Sequence, residues 1–127
     1  MNIYGIGTDI VSVDRIKKSL KNKRFLDRIF NKKEITKCKR SINNFNCYAK
    51  RFAAKEAFSK ALGTGISSGI NFNEIIILNK KSGKPYIALE GETKKMLKKL
   101  IRKKNTKIYL SISDEKKYAV AFVTISI

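Results

Sequence analysis

Two carboxylates stand where a carboxylate needs a reason to be. Asp9 interrupts an apolar run near the N-terminus, and Glu56 lies in the middle of an alanine-rich stretch. Taking a carboxylate out of water is costly unless it is paired, hydrogen-bonded or bound to a cation. Lys60 follows Glu56 by four residues, one turn further along the same helical face. Two oxygen donors with a point charge beside them suit magnesium and phosphate: magnesium takes oxygen ligands, keeps several waters, and is commonly held by one or two carboxylates plus substrate phosphates. Gly63-Thr64-Gly65, just beyond, would allow close approach of backbone to such a group. Each feature also has a plainer reading on spacing alone. Glu56 and Lys60 read as an exposed helix pair worth about 0.3 to 0.5 kcal/mol, the glycines as a helix stop and turn, and Asp9 as an acceptor of backbone amides in a bend.

Other chemistries are closed by composition. The 127 residues include no histidine, so no imidazole serves as base, nucleophile partner or metal ligand. Cys38 and Cys47 have no further Cys or His near them, which leaves no tetrahedral zinc site, and they read as ordinary reduced thiols. Lys plus Arg number 29 against 10 Asp plus Glu, a net charge of +19. That excess calls for an anionic partner to be considered. It rests on Lys far more than Arg and comes with abundant Ile and Asn, so a merely solvated lysine-rich surface accounts for it as readily. No apolar run approaches the roughly 20 residues of a spanning helix, and Met1 leads into Asn2-Ile3-Tyr4 without a basic leader. The expectation is one soluble cytoplasmic domain over residues 1–127.

The elements that must position these residues are legible in the periodicity. Asn2 to Val13 alternates with period two and reads as a strand with Ile3, Gly5, Gly7, Asp9, Val11 and Val13 on one face. Asp14 to Phe30 is basic and amphipathic, and Asn31 with Glu34 predicts a capped helix start. The spacing predicts a long helix from about Asn44 to Leu62, ended by Gly63. Ala54, Ala57, Phe58, Ala61 and Leu62 form its buried face. Phe52, Glu56, Ser59, Lys60 and Gly63 stack on the other side as a stripe of mixed chemistry. A hairpin over Phe72–Leu78 and Tyr86–Leu89, a helix over Glu92–Lys104 with Met96, Leu97, Leu100 and Ile101 inward, and a second hairpin over Lys107–Ile127 complete the chain.

Taken in order, the residues resemble a known family. The runs are Gly5-Ile6-Gly7-Thr8-Asp9-Ile10-Val11, Arg51-Phe52-Ala53-Ala54-Lys55-Glu56-Ala57-Phe58-Ser59-Lys60-Ala61-Leu62-Gly63-Thr64-Gly65-Ile66, Gly83-Lys84-Pro85, and Leu110-Ser111-Ile112-Ser113 before Tyr118-Ala119-Val120-Ala121. Over essentially the whole chain they resemble the holo-(acyl-carrier-protein) synthases, the small form of the 4'-phosphopantetheinyl transferases. The resemblance implies an α+β fold with an antiparallel sheet packed on the long helix. It implies transfer of phosphopantetheine from coenzyme A to a serine of apo acyl carrier protein in fatty acid biosynthesis, with release of adenosine 3',5'-bisphosphate. It also implies magnesium on Asp9 and Glu56, with Lys60 completing the catalytic set by meeting the phosphate. Arg51, Phe52, Ser59, Lys60, Gly63, Thr64, Gly65, Lys84, Pro85 and Ser113 are the coenzyme A contacts so implied, and Arg15, Lys21 and Arg24 the contacts of the acidic carrier.

Three further expectations follow from the resemblance. The small form is a homotrimer with sites between subunits, so one site draws residues from two chains. Larger relatives place a third acidic ligand two positions after the first Asp, where this chain has Val11. Most members carry His after Ser-Ile-Ser, where this chain has Asp114, which leaves a catalytically dead scaffold as one rival. A nucleic-acid-binding module is the rival from another class; it gives no role to Asp9 or to the Phe52-Glu56-Lys60 stripe, and the reading here is of no specific nucleic acid and no membrane partner.

Overall fold

The computed structural model describes residues 1–63, 69–102 and 105–127. The chain runs β1 (Ile3–Ser12), α1 (Val13–Ser19), α2 (Lys23–Ile29), α3 (Lys32–Arg40) and α4 (Asn44–Leu62). A 3-10 turn (Phe72–Glu74) then leads to β2 (Ile75–Asn79), β3 (Pro85–Leu89), α5 (Gly91–Leu100), β4 (Lys107–Asp114) and β5 (Tyr118–Ser126). The fold is α+β. Among the described residues two antiparallel sheets form, three strands in the order β1-β5-β4 and a separate β2-β3 hairpin. The three-stranded sheet packs on α4, as the resemblance implies, and the hairpin is not hydrogen-bonded into it but lies with β3 against β4.

Helix α4 begins and ends where its sequence predicts, because an alanine-rich run propagates until Gly63 takes the left-handed conformation, φ 78°. Its alanines Ala49, Ala53, Ala54, Ala57 and Ala61 are buried in one core with the small residues Ala119 and Ala121 of β5. Gly5 and Gly7 carry this further. A Cβ on Gly7 would land on the Ala57 carbonyl oxygen and 2.7 Å from the Ala61 nitrogen, and one on Gly5 would meet the Ala61 carbonyl. Strand β1 therefore lies directly on the helix backbone, which brings the next residue on that face, Asp9, alongside the last turns of α4.

Helix α3 starts with the predicted capping box: the Asn31 side chain accepts from the Lys33 amide at 3.0 Å, and the Asn31 amide donates to Glu34 at 2.9 Å. Helix α5 is shorter than predicted, ending at Leu100, and Leu100 is exposed where it was expected inward. Thr93 is buried there instead, its hydroxyl donating to Glu74 at 2.9 Å. The two cysteines are not free thiols. Packing of α3 on α4 sets the Cα atoms of Cys38 and Cys47 at 5.4 Å, and the pair forms a disulfide across the two helices. A nine-residue spacing within one chain does not reveal such an angle between helices.

Candidate active site

The glycine seam gathers the two odd carboxylates and the lysine. Lys60 Nζ donates to the Thr8 carbonyl at 2.9 Å and lies 3.3 Å from Asp9 Oδ1. Its partner is thus Asp9, across the seam, rather than Glu56 one turn back as the surface-pair reading had it. Asp9 has 17% of its side chain exposed and Lys60 55%. Burial pushes the Asp9 carboxyl above the ordinary aspartate range, opposed by its hydrogen bond and charge attraction with Lys60 and by the charge of Arg15. Burial also pushes Glu56 up, and the negative charge of Asp9 pushes in the same direction; Lys60 and Arg15 oppose both. Two half-buried carboxylates therefore repel one another while two cations face them. A hard divalent cation relieves that repulsion and matches an all-oxygen donor set. Among the described residues no third His, Cys, Asp or Glu joins a metal-binding group, and Val11 is in the core at 4% exposure. Water and phosphate oxygens are what complete an octahedron of this kind.

A second cluster lies nearer the start of α4. Arg51 is buried, donating to the Cys47 carbonyl at 3.3 Å, to Cys47 Sγ at 3.2 Å and to Asn79 Oδ1 at 3.0 Å. Burial lowers its guanidinium pKa, and the charge of Glu34 opposes that shift. It lines a cavity of about 560 Å³ with Lys37, Lys50, Asn79, Pro85 and Asp114, a size that suits a small-molecule ligand. Asp114 does not stand as a bare anion there. Asn46 donates to its Oδ2 at 2.9 Å, and Lys50 Nζ is 3.8 Å from its Oδ1. Neither residue belongs to any motif of the sequence, and both reach Asp114 only because β4 ends beside the first turns of α4.

The remaining expected residues are dispersed. Phe52 sits between the rings of Phe25 and Phe72, at 6.0 and 6.3 Å, and lines another cavity with Glu56. Ser59, expected on the presented stripe, is 3% exposed, because α4 is covered around most of its circumference. Lys84 is exposed on the turn before Pro85. Ser113 faces outward from the sheet, opposite Val120. Gly63 caps α4, while Thr64 and Gly65 lie outside the described residues. Arg15, Lys21 and Arg24 are all exposed, with Arg15 the one that also acts on the carboxylates.

Comparison with known proteins bears on this arrangement directly. The sequence profile of the 4'-phosphopantetheinyl transferase superfamily matches residues 5–123, which takes in both glycines of β1, the whole of α4 and most of the last hairpin. The chain belongs to the 4'-phosphopantetheinyl transferase superfamily. Within that superfamily it is 50% identical over 123 residues to the holo-(acyl-carrier-protein) synthase of Pelagibacter ubique, spanning 97% of this chain and 96% of that one. The crystal structure of the Neisseria meningitidis holo-(acyl-carrier-protein) synthase superposes with a TM-score of 0.87 at 39% identity, covering 98% and 99% of the two chains. The Bacillus anthracis synthase, solved in complex with CoA (3',5'-ADP), superposes with a TM-score of 0.79 at 36% identity over 98% and 97%. The α+β fold of this transferase and its antiparallel sheet on a long helix thus agree with the sequence reading.

Proposed function

We propose that this chain, as a single domain over residues 1–127, transfers the 4'-phosphopantetheine group of coenzyme A to a serine of apo acyl carrier protein in the cytoplasm, for fatty acid biosynthesis. The observation that carries the reading is the placement of Asp9, Glu56 and Lys60 on one glycine seam in a chain of this superfamily. Magnesium would be held by Asp9 and Glu56 and would supply charge neutralisation at the pyrophosphate. The serine oxygen attacks the phosphorus next to pantetheine and gives its proton to water, since the chain has no histidine to take it, and the bond from that phosphorus to the bridging oxygen breaks, releasing adenosine 3',5'-bisphosphate. Negative charge grows on the departing phosphate. Lys60, anchored by the Thr8 carbonyl but half in solvent, is free to meet it, and Arg15 adds a second cation. The cavity of Lys37, Lys50, Arg51 and Pro85 suits the anionic nucleotide end, with Lys84 exposed in the chain between the lining residues Gly83 and Pro85 and Asp114 turned onto Asn46 and Lys50.

The carrier is acidic, and Arg15, Lys21 and Arg24 on and between α1 and α2 offer it an exposed basic face. The homotrimer proposed for this chain would use the other side of the three-stranded sheet. Its outer face leaves Ile6 and Ile10 of β1, Tyr118, Val120 and Phe122 of β5 and Tyr109 of β4 exposed, an apolar surface that a lone subunit would leave in water. Ser113 lies on that face, so in a trimer it serves a neighbour's site. No helix of the described residues is long and apolar enough to cross a membrane. The direct test is incubation with apo acyl carrier protein, coenzyme A and magnesium, followed by carrier mass. A gain of one phosphopantetheine, lost on chelation and restored by magnesium, is the expected result; no gain with several carriers contradicts the proposal.

A further inference from the structure

Lys55 adjoins Glu56 in sequence but takes no part in the carboxylate cluster. Its side chain is fully buried, as is that of Glu34 on α3. The ammonium group donates to Glu34 Oε1 at 2.7 Å, to the Phe72 carbonyl at 2.7 Å and to the Ile75 carbonyl, which uses all three of its donors. Glu34 is equally committed: Oε1 also accepts from the Asn31 amide, and Oε2 accepts from the Ile77 amide at 3.0 Å. One buried ion pair thus joins α4 to the start of α3, to both ends of the 72–75 turn and to β2. Stability alone is a poor account of it, because an apolar pair of similar volume in such a place is often neutral or stabilising. What an ammonium ion adds is direction, since three fixed acceptors hold the turn in one position.

The position of that turn shapes a cavity of about 620 Å³. Phe72 and Glu74 form one wall, Phe25 and Arg28 of α2 another, and Phe52 and Glu56 of α4 the floor. Helix α2 is also the element that carries Arg24. We propose that Lys55 is a positioning residue: through Glu34 and the Phe72 and Ile75 carbonyls it fixes the wall opposite α2, and so sets the surface that receives the carrier protein without touching either substrate. This rests on the reading above that an acyl carrier protein is the second substrate and meets the chain at α1 and α2.

The test measures binding of apo acyl carrier protein and of coenzyme A separately, by calorimetry, in the parent and in Lys55→Met, well below the melting temperature of each. Carrier affinity should fall about tenfold or more, as when an anchor of a recognition surface is lost, while coenzyme A affinity stays within about twofold. Amide exchange should quicken at residues 72–77 and little elsewhere. Unchanged carrier binding by folded Lys55→Met, or equal losses for both ligands, would overturn the proposal. Should Lys55→Met not fold, Glu34→Gln keeps the shape and removes the charge; it should show the same split at smaller amplitude, and its absence counts against the proposal. A parent that binds neither ligand refutes the proposed function itself. The exchange pattern then decides on Lys55: quickening confined to residues 72–77 supports it, and uniform quickening contradicts it.

Discussion

Helix α4 is held on its two sides by opposite means. Against β1 the contact is made by side chains that are missing, Gly5 and Gly7, so that backbone meets backbone. Against α3 and the 72–77 segment it is made by full charges sealed from water, Lys55 and Glu34. The glycine side leaves its charged groups part-way in solvent, where they repel, attract and remain free to meet a phosphate. On the sealed side the Lys55 ammonium spends all three of its donors within the fold and leaves none for a ligand. Lys55 and Lys60 stand five residues apart in one sequence block, and it is their surroundings that separate a group that holds the fold from one proposed to serve the chemistry.

The glycine seam is the easier side to break. Gly7→Ala puts a methyl group onto the Ala57 carbonyl, so β1 must shift off the helix. A loss of about 3 kcal/mol or more is expected, with transfer abolished because Asp9 leaves Glu56; thermal unfolding and the transfer assay check both, and a variant as stable and active as the parent would show the seam to be slack. Lys60→Ala should fold normally, since the side chain is half exposed. Turnover should drop about a hundredfold while coenzyme A affinity moves little, because the cation matters most as charge develops. Equal kinetics would return Lys60 to the role of a surface ion-pair partner.

The sealed side answers to pH rather than to substrate. Burial pushes Lys55 down to about 8 from 10.5, against the opposing pull of Glu34. With the folded value below the unfolded one, the contribution of this group is fully present above 10.5 and is lost as pH falls through about 8. Between those values the unfolded chain binds the extra proton, so the stability of the parent should climb with pH relative to Lys55→Met, at a slope approaching about 1.4 kcal/mol per pH unit. Denaturant melts of the two proteins at pH 7 to 10 measure it, and parallel curves would contradict a titrating buried lysine. The smallest change is expected at the first-turn end of α4. Asp114 is already occupied by Asn46 and Lys50, so Asp114→His should keep turnover within about threefold and tighten coenzyme A binding at lower pH, where the imidazole is charged. An inactive parent rescued only by this change would favour the dead scaffold.

The sequence made α4, the β1 strand and the capping box legible because each depends on neighbours within a turn or two: alanine propensity, a left-handed glycine, period-two alternation, Asn31 with Glu34. It also showed Asp9 and Glu56 to be out of place. What it did not show arises where distant elements meet. The Cys38–Cys47 disulfide depends on how α3 lies on α4, and the pairing of Asp114 with Lys50 and Asn46 depends on where β4 ends. Ser59 looked presented because a helical wheel marks opposite faces but not how far the covering elements wrap round. The glycines of β1 read as features of a strand, and only the packed helix explains why a side chain has no room there.

On the proposed function, the half-buried carboxylates of the glycine seam do the chemistry. This role is tested most directly by following carrier mass in one experiment with parent, Asp9→Asn and Glu56→Gln, each with coenzyme A and magnesium, and with thermal melts alongside. Both variants remove a repelling charge, so they should melt at or above the parent's temperature in the absence of metal and yet transfer nothing measurable. Folded variants that modify the carrier at the parent's rate would contradict the account.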